Sequence, residues 1–376
     1  MLDLVKPEVR GLTAYRAEEP RPDLVKLDAN ESPFPLTEGL RQELLRSLEQ
    51  VAVNRYPDPK ADGLRSALAA QDRVAPGQLV LGNGSDELIH LLLLAIGDPG
   101  TVVLAPVPTF SMYELIARAL GLHFEGVPLG ARFEPDLPAM IETIERTSPK
   151  AVFLATPNNP TGGVFSGTEI LKIAAVAPGL VVVDEAYGPY AGSTMLPHLV
   201  DQERLVILRT LSKIGLAGLR VGYVVTHPTL AAELEKVRLP FNVNAFSQAA
   251  AVVLLAHQAW IEANVREIVR ERARVARGLE ALAGVEAFPS QANFILFRTS
   301  LPGDDVFGAL LAEGILVRNL GSAPGLENCL RVTIGTAKEN DRFLNALTSV
   351  MKQHERCGVR GAGCGMRSGT KKPEIA

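Results

Sequence analysis

Cysteine is scarce in this chain: three residues, Cys329, Cys357 and Cys364, among 376. Two of them sit in a Gly/Arg-rich C-terminal stretch, so the set cannot build a disulfide framework and by itself cannot complete a four-ligand zinc site. The six histidines are scattered without HExxH-type spacing, and no metal centre is expected. Long apolar runs are missing too. Nothing approaches the roughly 18 uninterrupted apolar residues of a membrane span, and the N-terminus, MLDLVKPEVRGL, carries charges where a signal peptide is apolar. A cytoplasmic protein is the expectation, with no membrane partner. There is also no basic excess: a formal net charge of -4 leaves nothing to neutralise a phosphate backbone, which argues against nucleic acid.

What the chain does have is apolar mass. With 47% hydrophobic and 21% charged residues it can bury a sizeable core, and its length suits one large domain with a smaller one attached. Between residues 78 and 226 short Val/Leu-rich runs alternate with helical patterns: QLVLG (78–82), TVVLAP (101–106), AVFLA (151–155), LVVVD (180–184), LVILRT (205–210) and VGYVV (221–225). Such runs without polar alternation predict strands covered on both faces, hence an α/β domain with a mostly parallel sheet. One long helical tract is predicted over roughly 245–282. Strands near 292–299, 314–319 and 329–335, with helices near 303–313 and 339–353, predict a smaller α+β domain.

In an open parallel sheet, ligands bind beyond the carboxyl ends of the strands. The residues that follow these runs are unusually polar. GNGSDE (82–87) puts Gly84, Ser85 and Asp86 at a strand-to-helix turn, which makes either a phosphate cradle or an ordinary capped turn. Asp184 ends a strand at the floor of the crevice, where a carboxylate needs a positive partner. Lys213, in TLSKIGLAGLR (210–220), is a lysine in a half-desolvated turn and so a candidate nucleophile toward a carbonyl. A plain Lys213–Asp184 ion pair is the competing account. Pyridoxal 5'-phosphate answers all three features, because it needs a lysine for its aldehyde, a carboxylate for its ring nitrogen and a cradle for its phosphate. Asn159 and Tyr187 lie on strand ends suited to its ring O3'.

NNPTG (158–162), DEAY (184–187) and SK…GLR (212–220), in this order, resemble the fold type I pyridoxal-phosphate-dependent aminotransferases. LDANESP (27–33), RYPD (55–58), GNGSDE, ANF (292–294) and CLRVTIGT (329–336) look like their histidinol-phosphate branch. The resemblance implies that Lys213 is the Schiff-base lysine, that Asp184 partners the pyridinium, and that Asn159 and Tyr187 hydrogen-bond O3'. It puts Phe110 on the ring as the stacked aromatic, and Gly84, Ser85, Asp86, Thr210, Ser212 and Arg220 around the phosphate. Arg220 follows Lys213 by seven residues, one fewer than the family usually leaves. Tyr56 would be lent to the neighbouring subunit's site, which implies a homodimer with shared active sites.

On the substrate side, the resemblance gives Arg331 to an α-carboxylate and Arg318 to a substrate phosphate. Tyr15 would close over that phosphate, and Asn30 joins the substrate-binding set. The implied reaction exchanges an amino group between L-histidinol phosphate and 2-oxoglutarate in histidine biosynthesis. An aromatic amino-acid aminotransferase and a threonine-phosphate decarboxylase of the same fold share most of these residues; a ligand-sensing regulator would need a DNA-binding segment that the sequence does not show. The expected division is an N-terminal segment (1–45) packed on the small domain and the dimer partner, a large cofactor domain (46–270), a small domain (271–355) and an unstructured tail (356–376).

Overall fold

The computed structural model describes residues 2–13 and 23–359. Among these, twelve strands numbered in chain order form two sheets. The larger contains β2 (Leu79–Gly82), β3 (Val102–Val107), β4 (His123–Pro128), β5 (Ala151–Ala155), β6 (Leu180–Asp184), β7 (Leu205–Thr210) and β8 (Gly222–Thr226), in the order β2-β8-β7-β6-β5-β3-β4. All neighbours are parallel except β8, which runs antiparallel to both β2 and β7.

The runs become strands because both faces of the sheet are covered. In β6, Val181 and Val183 point into one core and Val182 into the other, the two-residue period of a pleated strand. Val152, Phe153 and Leu154 of β5 are fully buried. Each such side chain contributes roughly 1.5–3 kcal/mol through burial, which overrides the weak local preferences of the short segments.

The smaller sheet has the order β1-β11-β12-β10-β9, from β1 (Val25–Leu27), β9 (Val285–Ala287), β10 (Phe294–Thr299), β11 (Ile315–Asn319) and β12 (Cys329–Thr333). The N-terminal strand β1 joins it in parallel with β11, with Leu27 opposite Val317. The next three residues, Asp28 to Asn30, then leave this sheet toward the cavity between the two sheets.

Three sequence expectations need correction. The tract 245–282 is two helices, Ala245–Leu255 and Gln258–Glu280, separated at Ala256 and His257. No glycine or proline marks the break; the first helix packs on Glu38–Leu48 and Asp62–Asp72, whereas the second turns away toward the small sheet. Strand β4 gives no sequence signal because HFEGVP is partly exposed and lacks an apolar run. The last helix, Ala337–Val359, continues past residue 355; the remainder of the expected tail, 360–376, lies outside the described residues.

Behind the strand ends, on the side away from the cavity, lies a buried charge network. Arg209 of β7 donates to Glu185 (2.7 Å) and to Asp72 (2.7 Å), and the Tyr223 hydroxyl of β8 donates to Asp72 (2.9 Å). The side chains of Glu185 and Asp72 are 2% and 3% exposed. Removing the cation from such a set strands two buried carboxylates. Arg209→Met is therefore expected to destabilise the protein by about 3 kcal/mol, read from the urea midpoint; an unchanged midpoint would mean that the network contributes nothing net.

Candidate active site

A cavity of about 1150 Å³ opens at the carboxyl ends of β3, β5, β6 and β7 and is walled on the other side by the small sheet. Its floor is Asp184, the last residue of β6. One carboxylate oxygen accepts from the Tyr113 hydroxyl (2.6 Å) and the other from the Ala186 N–H (2.9 Å). Burial pushes its pKa up to about 6, opposed by those two hydrogen bonds and reinforced by the nearby Asp86 and Glu185 carboxylates. Tyr113 answers with a hydroxyl whose pKa is raised well above its usual value by its own burial and by Asp184. Nothing in the sequence singles out Tyr113. Its signal is visible only in three dimensions, where the helix Met112–Ala119 brings it under β6 and stacks it on Phe153 at 4.6 Å.

Lys213 lines the same cavity but does not pair with Asp184. Its Nζ lies 3.5 Å from the Ala29 carbonyl oxygen and 5.8 Å from the centroid of the Tyr187 ring. Its backbone is pinned from below, where the buried Tyr190 hydroxyl donates to the Lys213 carbonyl at 2.6 Å. Tyr187 and Phe110 also face the cavity, Phe110 standing edge-on to Tyr113 at 5.6 Å.

The turn that follows β2 runs through Asn83 and Gly84 into the helix Ser85–Ile96, whose first residues, Ser85 and Asp86, line the cavity. Gly84 has φ +90°, and a Cβ there would sit 2.5 Å from the Arg220 guanidinium. Gly222 of β8 backs this turn so closely that its Cβ would lie 2.5 Å from the Ser85 nitrogen. Thr210 and Ser212 face each other across 3.0 Å, and the Ser212 N–H donates to the Thr210 hydroxyl.

The short Lys213-to-Arg220 connection is built from two 3-10 turns, Ser212–Ile214 and Ala217–Leu219, and ends with Arg220 itself in the left-handed region (φ 52°). That uncommon conformation for a non-glycine residue brings the guanidinium back to the cradle. It donates to Asp86 (3.3 Å) and to Ser212 (3.4 Å). The short connection still places the Arg220 guanidinium beside Gly84 and Asp86.

On the small-sheet wall, Arg318 of β11 lies directly opposite Arg331 of β12, and both face the cavity. Arg331 donates to the Asp28 carbonyl (2.7 Å) and to the Asn159 carboxamide oxygen, and its guanidinium lies 5.3 Å from the Phe294 ring centroid. Asn30 also lines the cavity, and its side chain donates to the Tyr187 hydroxyl at 2.8 Å. Tyr56 is 82% exposed, stacked on Phe241 at 4.6 Å, and does not line the cavity of its own chain. Tyr15 lies outside the described residues.

These elements together make a crevice with a buried carboxylate, a lysine, a backbone anion cradle and opposed arginines. Residues 22–347 match the family described as aminotransferase class I and II. The chain belongs to the class I and II aminotransferases. Among curated relatives of this aminotransferase, "Histidinol-phosphate aminotransferase 2" of Nitrosococcus oceani is 47% identical over 354 residues, covering 93% of this chain and 97% of that protein. A histidinol-phosphate aminotransferase of Aquifex aeolicus is 43% identical over 350 residues, covering 93% and 98%. The crystal structure of histidinol-phosphate aminotransferase from Sinorhizobium meliloti in complex with pyridoxal-5'-phosphate superposes with a TM-score of 0.84 at 25% identity, covering 93% of this chain and 98% of that one. The fold is therefore that of the fold type I aminotransferases, a mostly parallel sheet covered by helices with a smaller α+β unit. Among the described residues no helix is long and apolar enough to cross a membrane.

Proposed function

We propose that this aminotransferase exchanges an amino group between L-histidinol phosphate and 2-oxoglutarate, with pyridoxal 5'-phosphate held in the crevice by Lys213. The observation that carries the substrate assignment is the pairing of Arg318 opposite Arg331 on the cavity wall. Glutamate brings two carboxylates and the phosphorylated partner brings a phosphate, and two guanidiniums on one face can serve either. The kinship with named histidinol-phosphate aminotransferases supports the same choice.

The residues present fit the cofactor. Asp184 is a buried carboxylate whose acidity is governed by burial, two hydrogen bonds and neighbouring carboxylates, which is the setting that a protonated ring nitrogen would relieve. The Ser85 and Asp86 amides, Thr210, Ser212 and Arg220 would hold the phosphate, with Gly84 leaving the guanidinium room. Asn159 and Tyr187 would hydrogen-bond the ring oxygen, and Phe110 would cover the ring face. Bound there, pyridoxal phosphate supplies an electron sink for the pair left when the substrate's α-proton departs. Lys213 would take that proton at Nζ and return it on the other side of the exchange, as general base and then acid. Arg331 would orient the α-carboxylate of glutamate, and Arg318 the phosphate.

Tyr56 and Phe241 form an exposed aromatic stack, with Val53 (78% exposed) and Leu239 (69%) also bare on the described surface. We assign this face to a second copy of the chain, into whose crevice Tyr56 would reach.

The deciding experiment loads the protein with pyridoxal phosphate and follows its visible absorbance while L-histidinol phosphate, glutamate, phenylalanine or threonine phosphate is added. Loss of the visible band with the first two supports the proposal. Response to phenylalanine and not to histidinol phosphate would move the enzyme to aromatic substrates, and carbon dioxide release from threonine phosphate would make it a decarboxylase. For the cradle, Gly222→Ala is expected to raise the dissociation constant for pyridoxal phosphate at least about tenfold, because the new methyl displaces the Ser85 amide. A fluorescence titration with unchanged affinity would exclude that role.

A further inference from the structure

Three consecutive residues, Asp28, Ala29 and Asn30, each touch a different group of the crevice. The Asp28 carbonyl accepts from Arg331 at 2.7 Å, the Ala29 carbonyl faces Lys213 Nζ at 3.5 Å, and the Asn30 side chain donates to the Tyr187 hydroxyl at 2.8 Å. The segment leaves β1 of the small sheet directly, so its position is tied to that sheet.

Asn30 is held unusually firmly. It is 2% exposed, and its backbone sits in the left-handed region at φ 56°. Its N–H donates to the Thr333 hydroxyl (2.9 Å), its carbonyl accepts from the Asn293 carboxamide (3.0 Å), and its side-chain oxygen accepts from Thr333 (3.2 Å). In this arrangement the Thr333 hydroxyl donates to the side-chain oxygen and the NH₂ is aimed at Tyr187. A phenol oxygen that already accepts a hydrogen bond is a better donor through its own proton, because bonds in a chain polarise one another.

We propose that Asp28–Asn30 is a coupling strap, in which Asn30 is a positioning residue that strengthens Tyr187 as a donor and conveys to it whether Arg331 holds a carboxylate. The inference rests on the functional reading above. A carboxylate forms charge-assisted bonds that outcompete the neutral Asp28 carbonyl for the guanidinium. Release of that carbonyl frees the first residue of the strap, and Asn30, two residues on, is the one whose amide orients Tyr187. Occupancy of the substrate-carboxylate site thus changes the hydrogen bonding at Tyr187 and the environment of Lys213 before any proton moves.

Coupling is shown only by perturbing both ends. The test titrates the pyridoxal-phosphate-loaded enzyme with maleate, a dicarboxylate with no amino group to donate, reading the visible spectrum and, separately, the heat of binding. Asn30→Gly removes the amide and tolerates the left-handed backbone; Thr333→Val keeps Asn30 but removes the hydroxyl that orients it. Both variants are expected still to bind maleate, as the heat of binding shows, and to lose most of the spectral change, with any shift in the dissociation constant reporting the coupling that has been cut. Tyr187→Phe should lose it too, and adding Asn30→Gly to Tyr187→Phe should lose nothing further. A full spectral change in Asn30→Gly, or losses that add in the double variant, would overturn the strap. Wild-type protein that binds maleate with no spectral change would overturn the coupling while leaving the functional reading intact. Wild-type protein that takes up no pyridoxal phosphate would overturn that reading, and the strap with it.

Discussion

Lys213→Ala should abolish transamination while leaving the fold and the cofactor cradle in place. The loss expected is at least about 10⁴-fold in kcat, the upper range for removing a positioned general acid/base, with the nucleophile lost as well. The side chain is only partly buried, its Nζ makes one long contact to the Ala29 carbonyl, and the backbone carbonyl that Tyr190 grips is unaffected by the change. The thermal midpoint of the cofactor-free variant is therefore expected to stay close to wild type. Single-turnover measurements with glutamate, set beside a melting curve, separate the two effects. A variant retaining more than about a hundredth of the wild-type rate would remove Lys213 from the centre of the chemistry.

Asp184→Asn should pull activity and stability in opposite directions. With pyridoxal phosphate bound, the fixed negative charge is gone and kcat should fall about 10²–10³-fold, the scale for removing one preorganised electrostatic group. Without the cofactor, the same charge is a liability. Burial raises the folded-state pKa to about 6 from an ordinary 3.8. The folded chain therefore binds this proton more tightly than the unfolded chain, and the group's contribution to stability is complete below the unfolded pKa and drains away as pH rises from about 4 to about 6. Above that window the buried carboxylate costs about 3 kcal/mol. Cofactor-free Asp184→Asn is thus expected to be more stable than wild type at pH 7 and equal to it near pH 3, which denaturant titrations at the two pH values would show. A variant less stable than wild type at pH 7 would mean that the hydrogen bonds from Tyr113 and Ala186 already satisfy the carboxylate.

Much of this is legible in the residues because burial on both faces leaves a simple signature. AVFLA and LVVVD coincide with β5 and β6 to the residue, and the polar letters that follow them fall at the crevice. The same logic fails where a strand is an edge, as in His123–Pro128, or where a helix ends by packing alone, as at Ala256. Side-chain destinations are harder to read. The motifs direct Asn30 and Asn159 toward bound molecules, and both line the cavity, but their protein partners, Tyr187 and Arg331, lie 157 and 172 residues away. No local pattern encodes pairings over such separations. Tyr113 escapes a reading of the sequence for the same reason, since its hydroxyl meets Asp184 only after β3, β5 and β6 have lined up.

The antiparallel return of β8 has a consequence for the order in which the molecule comes together. Strand β2, which leads into the cradle, bonds within the sheet to β8 alone, Leu79 lying opposite Val225. During synthesis the first half of the cradle must wait for most of the large sheet to be made before its neighbour exists. Contacts of such long range form late and slow folding. Any shortened chain ending before Gly222 would carry the lysine and the carboxylate but lack the strand that backs the Ser85 amide. Capture of pyridoxal phosphate in the proposed cradle would thereby report that the large sheet has closed.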